Sequence, residues 1–254
     1  MSPRRVDPQL AAALLEAAAR LLAEGGTAAL TTRRLAAEVG TSTTVVYTYY
    51  GGMDNLVRAM VHEGFARLHR RMATVRATND AVADVMALGY AYRANALDHP
   101  QLYLVMFGSS ALGGFALGEG DRQHGRYTLE PLVDAVSRAT EQGRFRPADP
   151  LLVGQTMWIA LHGLVALELG GYLIDPYDAD LCFETQLRSL MVGAGDKHEA
   201  TMISLARARR RRPPRPASAS ASAPAPAPAS ASASASAPPS EKNSALSNTG
   251  EVTP

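Results

Sequence analysis

Apolar residues recur along most of this chain every three or four positions, the spacing of helices that bury one face. Leu10, Leu14, Ala17, Leu21 and Leu22 form the first such stripe, which ends near Gly25 and Gly26. Leu30 to Leu56 holds two short helical stretches separated by Gly40, and Leu56, Met60, Phe65, Leu68 and Met72 predict one long connecting helix starting near Asp54. Ala81 to Leu97 follows, stopped by His99-Pro100, then a segment from Gln101 to Phe107, a glycine-rich break at Gly113 to Gly120 and a helix from about Tyr127 to Glu141. Gly143, Pro147 and Pro150 punctuate the next joint. Leu151 to Leu169 is strongly apolar, and after GGYLIDPYDAD a last helix spans roughly Leu181 to Met191. No stretch alternates apolar and polar residues as a half-buried strand does, so the pattern predicts an all-α fold.

Within LTTRRLAAEVGTSTTVVYTYYGGMDNL, Ala36, Gly40 and Val46 fall at the spacing A-x3-G-x5-V of a helix-turn-helix. A small side chain at 36 allows close helix packing, glycine at 40 can adopt the left-handed conformation that ends a helix, and Val46 fills the space between. Thr31 or Thr32 can cap the first helix, and Thr41 or Ser42 the second. In the second helix, Val46 points inward. Thr44 and Thr48 then share one face with Thr43 and Tyr47 beside them, where hydroxyls and methyls can meet base edges in a major groove.

The stretch Gly40 to Leu56 resembles the end of the DNA-binding domain of the tetracycline-repressor (TetR) family, and LTTRRLA resembles its founding member. Trp158, His162 and Gly163 in WIALHGLVALELGG, preceded by YRANALDHPQLYLVMF, resemble the "WHG" type of C-terminal domain found in one branch of that family. The resemblance implies that Tyr47 and Tyr49 touch DNA backbone or base edges, Thr32 a phosphate and Arg33 a base, and that Tyr50 is a core aromatic. It implies a junction of His162 with Trp158 and Gly163, and a homodimer whose two most apolar late helices form a four-helix interface with their copies. Two positions depart from the pattern: Met53 stands where lysine commonly meets phosphate, and Thr43 where a longer or charged residue is frequent. Arg4, Arg5, Arg33 and Arg34 can restore the missing positive charge.

The formal net charge of +1 conceals a partition. Residues 1–76 carry ten arginines against six acids, a net of +4; residues 77–206 carry eight bases against sixteen acids, a net of −8; residues 207–254 carry seven bases against two acids, a net of +5. Only part of such a chain is suited to approach a polyanion. After about Ala206, ARARRRRPPRP leads into Ala217 to Ser240, all Ala, Ser or Pro, which lack the large apolar side chains needed to offset the entropy of ordering. The expectation is a disordered tail whose arginines anchor on DNA, on another polyanion or on nothing in particular.

One cysteine, Cys182, permits no internal disulfide. The start imitates an export signal, but Asp7, Glu16 and Arg20 interrupt it, and no uninterrupted apolar run reaches the roughly 18 residues that cross a bilayer, so a cytoplasmic protein with no membrane partner is expected. Six scattered histidines lack metal-binding spacing, and no phosphate loop, G-x-S-x-G or Cys-His pairing appears, so neither catalysis, metal nor cofactor is expected. Helices rich in methionine and aromatics can instead enclose a small molecule. The candidate lining is Met86, Tyr90, Arg93, Tyr103, Met106, Phe107, Met157, Trp158 and Leu161, with His162 beside it; a buried Arg93 needs an acidic partner or an anionic ligand.

These readings divide the chain into an N-terminal arm with a three-helix DNA-binding domain (1–53), a helical ligand-binding and dimerisation domain (54–195) and a basic, then Ala/Ser/Pro-rich tail (196–254). The function they predict is a homodimeric, ligand-responsive transcriptional regulator, most simply a repressor, on a palindromic operator. A nonspecific architectural DNA-binding protein, or a small-molecule-binding helical module without DNA specificity, are the alternatives. Salt-sensitive binding to any sequence, or no DNA binding at all, separates them from the first.

Overall fold

The computed structural model describes residues 7–107 and 118–213, and every described element is helical. The arginines at 4 and 5, the first part of the glycine-rich break and the Ala/Ser/Pro-rich segment lie outside the described residues.

Helix α1 (Pro8–Ala29) bends at Gly25 and Gly26, so its regular part ends where the glycines predict. α2 (Thr32–Glu38) starts from Thr31, whose Oγ1 accepts from the Arg34 N–H at 3.2 Å. It stops at Gly40, which has φ +69°; there the Gly40 N–H donates to Ala37 C=O and the Thr41 N–H to Ala36 C=O at 2.8 Å. That paired closure needs a left-handed residue, which glycine supplies without a Cβ penalty. α3 (Thr43–Tyr50) follows immediately from Ser42 at its N-cap. Leu14, Ala17, Leu35, Ala36, Val46 and Leu56 are buried together between these helices. Full burial of a leucine or valine contributes about 1.5–3 kcal/mol, so Leu14, Leu35, Val46 and Leu56 supply most of what holds these short helices together.

Tyr50 lies half-buried and donates its hydroxyl proton to Ala11 C=O at 2.9 Å, tying α3 to α1. Tyr50→Phe keeps the packing and removes that bond, so a loss of about 0.5–1.5 kcal/mol is expected in denaturant unfolding, with no change in helix content.

α4 (Met53–Ala73) is the spine. Its first turns pack under the three-helix head, and its later apolar positions, Gly64, Phe65, Leu68 and Met72, belong to the larger core beyond it. Gly64 lets α6 (Pro100–Met106) approach, because a Cβ there would lie 2.5 Å from Met106 Cγ. α5 (Ala81–Asp98) is buried almost all round, as a central helix must be. Against it pack α8 (Glu130–Glu141), α9 (Pro150–Leu169) and α10 (Ala179–Ala194), while α7 (Glu119–His124) and a 3-10 turn (Gly125–Leu129) lie against α4.

One further helix was not anticipated: α11 (His198–Arg209) occupies residues assigned by sequence to the tail, which was expected from 196 onward. Its buried positions, Thr201, Ser204, Leu205 and Ala208, include only one large apolar side chain, so no apolar stripe announces it. Carboxylates buried elsewhere hold it instead. Ser204 Oγ donates to Asp80 at 2.9 Å, Thr201 Oγ1 to Asp196 at 2.6 Å, Arg207 pairs with Asp80 at 2.7 Å and Arg211 with Asp84 at 2.6 Å. Arg209 pairs with Glu184 and Arg212 with Asp180 at 3.3 Å. Four of the arginines expected to seek a polyanion, Arg207, Arg209, Arg211 and Arg212, therefore find carboxylates within their own chain. Burial pushes the Asp84 carboxyl up, but the Thr78 N–H and hydroxyl, Arg211 and Arg138 outweigh it and hold Asp84 below its usual range.

Candidate functional sites

On α3, Thr43, Thr44, Tyr47 and Thr48 all point to solvent, and Val46 beneath them is fully buried. Tyr47 is the most prominent, 55% exposed. Thr48 donates its hydroxyl proton to Thr44 C=O at 2.8 Å, so toward a partner it offers lone pairs and a methyl group. Arg33 is exposed on the neighbouring α2, with Thr32 half-buried in the first turn. Tyr49 departs from this group. It is half-buried, and its hydroxyl accepts from the Asp7 N–H at 3.0 Å, toward the start of α1. Met53 packs inward against the core, which accounts for an apolar residue at the start of α4.

The downstream helices enclose a cavity of about 20 Å³, little more than the room for one water. Of the ten candidate lining residues, Met157, Trp158 and Leu161 line it. Met86 is plain core, and Met106 packs on α4. Tyr103, Phe107 and His162 form an aromatic junction beside Trp158, with Phe107 4.4 Å from the His162 ring and 6.0 Å from that of Trp158. Gly163 takes no part, since its Cβ position faces open space.

Tyr90 and Arg93 are spoken for. Tyr90 donates to Glu184 at 2.8 Å. Arg93, almost wholly buried, binds Glu168 through two nitrogens at 2.6 and 2.7 Å and Asp180 at 2.6 Å, with the Phe183 ring 4.8 Å below. Arg93 therefore has acidic protein partners and needs no anionic ligand, which corrects one branch of the expectation. The sequence reading missed Leu68 and Met72 at the end of α4, Tyr92 on α5, and Leu190 and Met191 on α10. Periodicity marks these residues as buried, but which buried residues face a gap depends on how six elements meet.

The third surface is apolar. α9 leaves Leu152 62% and Ile159 55% exposed on one side, with Leu167 farther along, and α10 adds Leu181 and Val192. By length and mean hydropathy (1.5), α9 is long and apolar enough to cross a membrane, although the sequence reading, counting only uninterrupted apolar residues, found no such run. Only 28% of that apolar window is buried within the chain, so most of it has no cover here. Leu187 of α10, by contrast, is in the core at 1% exposure.

Residues 14–60 match the family model described as bacterial regulatory proteins, tetR family, and residues 85–190 match that described as tetracyclin repressor-like, C-terminal domain. The HTH-type transcriptional regulator Rv0681 of Mycobacterium tuberculosis is 27% identical over 183 residues, covering 71% of this chain and 79% of its own length. A protein of unknown function from Rhodococcus sp. RHA1 has a similar structure, with a TM-score of 0.64 at 25% identity over 76% of this chain and 98% of that one. The TetR family transcriptional regulator PfmR from Thermus thermophilus, 19% identical, shares the fold with a TM-score of 0.55 over 70% of this chain and 97% of its own.

Proposed function

Because the chain belongs to the TetR family of transcriptional regulators, with an N-terminal helix-turn-helix and a C-terminal ligand-binding domain, we propose that it is a cytoplasmic homodimeric repressor, released from a palindromic operator by a small, mostly apolar molecule. It acts by binding, without catalysis. The observation that carries this reading is α4. Its 21 residues make one helix of about 30 Å, packed under the reading head at one end and lining the cavity with Leu68 and Met72 at the other. A molecule that enlarges the cavity pushes on the end of that lever.

A ligand releases DNA only as far as it prefers the DNA-incompetent state, and a hundredfold loss of affinity requires about 2.7 kcal/mol of coupling. On the DNA side, α3 presents Thr43, Thr44, Tyr47 and Thr48 to the major groove, with Arg33 and Thr32 of α2 holding a base or phosphate and Tyr49 near the backbone. The apolar face of α9 and α10 meets its copy, which sets two heads at the half-site spacing of a palindrome. A nonspecific architectural role fits less well, since it leaves the acidic helical domain without a task.

Arg33→Ala and Tyr47→Ala are each expected to weaken operator binding by about 1–3 kcal/mol while leaving thermal melting unchanged, since both side chains are exposed. The DNA flanking the protein's own gene is the first fragment to footprint. Normal affinity in both variants would remove the reading helix from α3.

A further inference from the structure

Two hydroxyl-bearing residues line the apolar cavity, Tyr92 and Thr128, and Thr128 donates its proton to Gly125 C=O at 2.7 Å. Tyr92 belongs both to the cavity wall and to a buried cluster with Tyr103 of α6 and His162 of α9. Three polar atoms form a triangle. Tyr103 Oη lies 2.7 Å from His162 Nδ1, and Tyr92 Oη lies 3.0 Å from Tyr103 Oη and 3.2 Å from His162 Nδ1. Trp158 is also in the wall.

Two buried phenols and an imidazole are costly unless each polar atom finds a partner, and the supply of protons decides how they do so. Desolvation holds His162 below its ordinary pKa, so the ring is neutral. In the tautomer with the ring hydrogen on Nε2, the short contact runs from the Tyr103 hydroxyl to the unprotonated Nδ1. The Tyr92 proton remains, with Tyr103 Oη at 3.0 Å as its acceptor, since the one lone pair of Nδ1 is already taken. Redirecting it sacrifices one 3.0 Å bond and leaves the Tyr103–His162 bond in place.

We propose that Tyr92 recognises a neutral oxygen acceptor, such as a carbonyl, ester or ether, on an otherwise apolar effector, and that Tyr103 and His162 position its hydroxyl for that contact. The proposal rests on the reading of this cavity as the effector site. No charged side chain lines the cavity, and Arg93 is committed to Glu168 and Asp180. A carboxylate or ammonium group entering there would lose its water without gaining a counter-ion. Room for the effector comes from Met72, Met157 and Met191 in the wall, unbranched side chains that repack readily.

The chain has one tryptophan, Trp158, so its fluorescence reports occupancy of the wall directly. The full-length protein is titrated with 2-octanone, 1-octene and octanoate, with thermal shift as a second readout. 2-Octanone is expected to bind at least tenfold more tightly than octanoate. In Tyr92→Phe, the affinity ratio of 2-octanone to 1-octene should fall at least fivefold while 1-octene itself binds within twofold of wild type. Tyr103→Phe should lower the ratio too, because Nδ1 of His162, freed of its partner, then holds the Tyr92 proton; this variant carries the test if Tyr92→Phe does not fold. An unchanged ratio in both variants with binding intact overturns the role of Tyr92 alone, as does octanoate binding as tightly as the ketone. No response of Trp158 to any of the three probes removes the cavity as the effector site together with this inference.

Discussion

A chain ending at Asp196 is expected to be unfolded or aggregated under conditions where a chain ending at Pro213 melts cooperatively. The shorter chain loses α11, and with it the burial of Leu205 and Ala208 against α5 and α10. It also strips partners from two carboxylates that are almost wholly inside: Asp80 loses Ser204 and Arg207, and Asp84 loses Arg211. Removing one partner of a buried ion pair typically costs about 3–5 kcal/mol, because the remaining charge stays desolvated. Arg207 is 58% exposed, so its pair counts for less than that, and Arg138 and Arg144 still face the two carboxylates. Even so, the combined loss approaches the about 5–15 kcal/mol by which a domain is stable at all. Circular dichroism melts and gel filtration of the two chains check this. A cooperative transition of the shorter chain within a few degrees of the longer one would show that α11 is dispensable.

The second large effect concerns assembly. Leu152→Arg combined with Ile159→Arg is expected to give a folded monomer whose affinity for the palindromic operator is lower by about 10³-fold or more, toward the level of nonspecific binding. Both side chains are more than half exposed in the single chain, so charging them costs the monomer little. In the dimer each would bring an unpaired charge into an apolar contact, twice over by symmetry. Leu187→Glu provides the contrast. That residue is buried within the chain at 1% exposure, so its substitution should unfold the protein without releasing a monomer. Light scattering and binding to full and half operators distinguish the outcomes. A wild type that is monomeric at micromolar concentration would sink the dimer reading.

Much of the fold was legible because its signals are local. Thr31 at the start of α2, Gly40 with its left-handed φ, and Val46 inside the turn are each set by contacts within about ten residues of chain, and each stands as the spacing predicts. The long α4 and the helix α5 likewise follow from their apolar patterns. α11 was illegible for the opposite reason. Its cohesion comes from Asp80, Asp84, Asp180 and Glu184, which are more than twenty residues away in sequence, and its own composition reads as the beginning of a basic tail. The cavity was half legible: Met157, Trp158 and Leu161 lie on the most conspicuous apolar helix, whereas Leu68 and Met72 line it only because α4 is long enough to reach.

The amino-acid sequence alone determined that the segments of α1 to α6 and α8 to α10 are helical, where the turn of the helix-turn-helix falls and which side of each of these helices is apolar, because helix periodicity, caps and glycine turns act over one or two turns of chain. Only the tertiary structure decided the partners of the buried charges, the role of α11 and which apolar faces are left uncovered. Arg93 could equally have met a ligand, and Arg207 to Arg212 a polyanion, since a charged side chain carries no local mark of its counter-ion. What settled both was the convergence of α5, α9, α10 and α11, which brought carboxylates far away in sequence to within hydrogen-bonding distance.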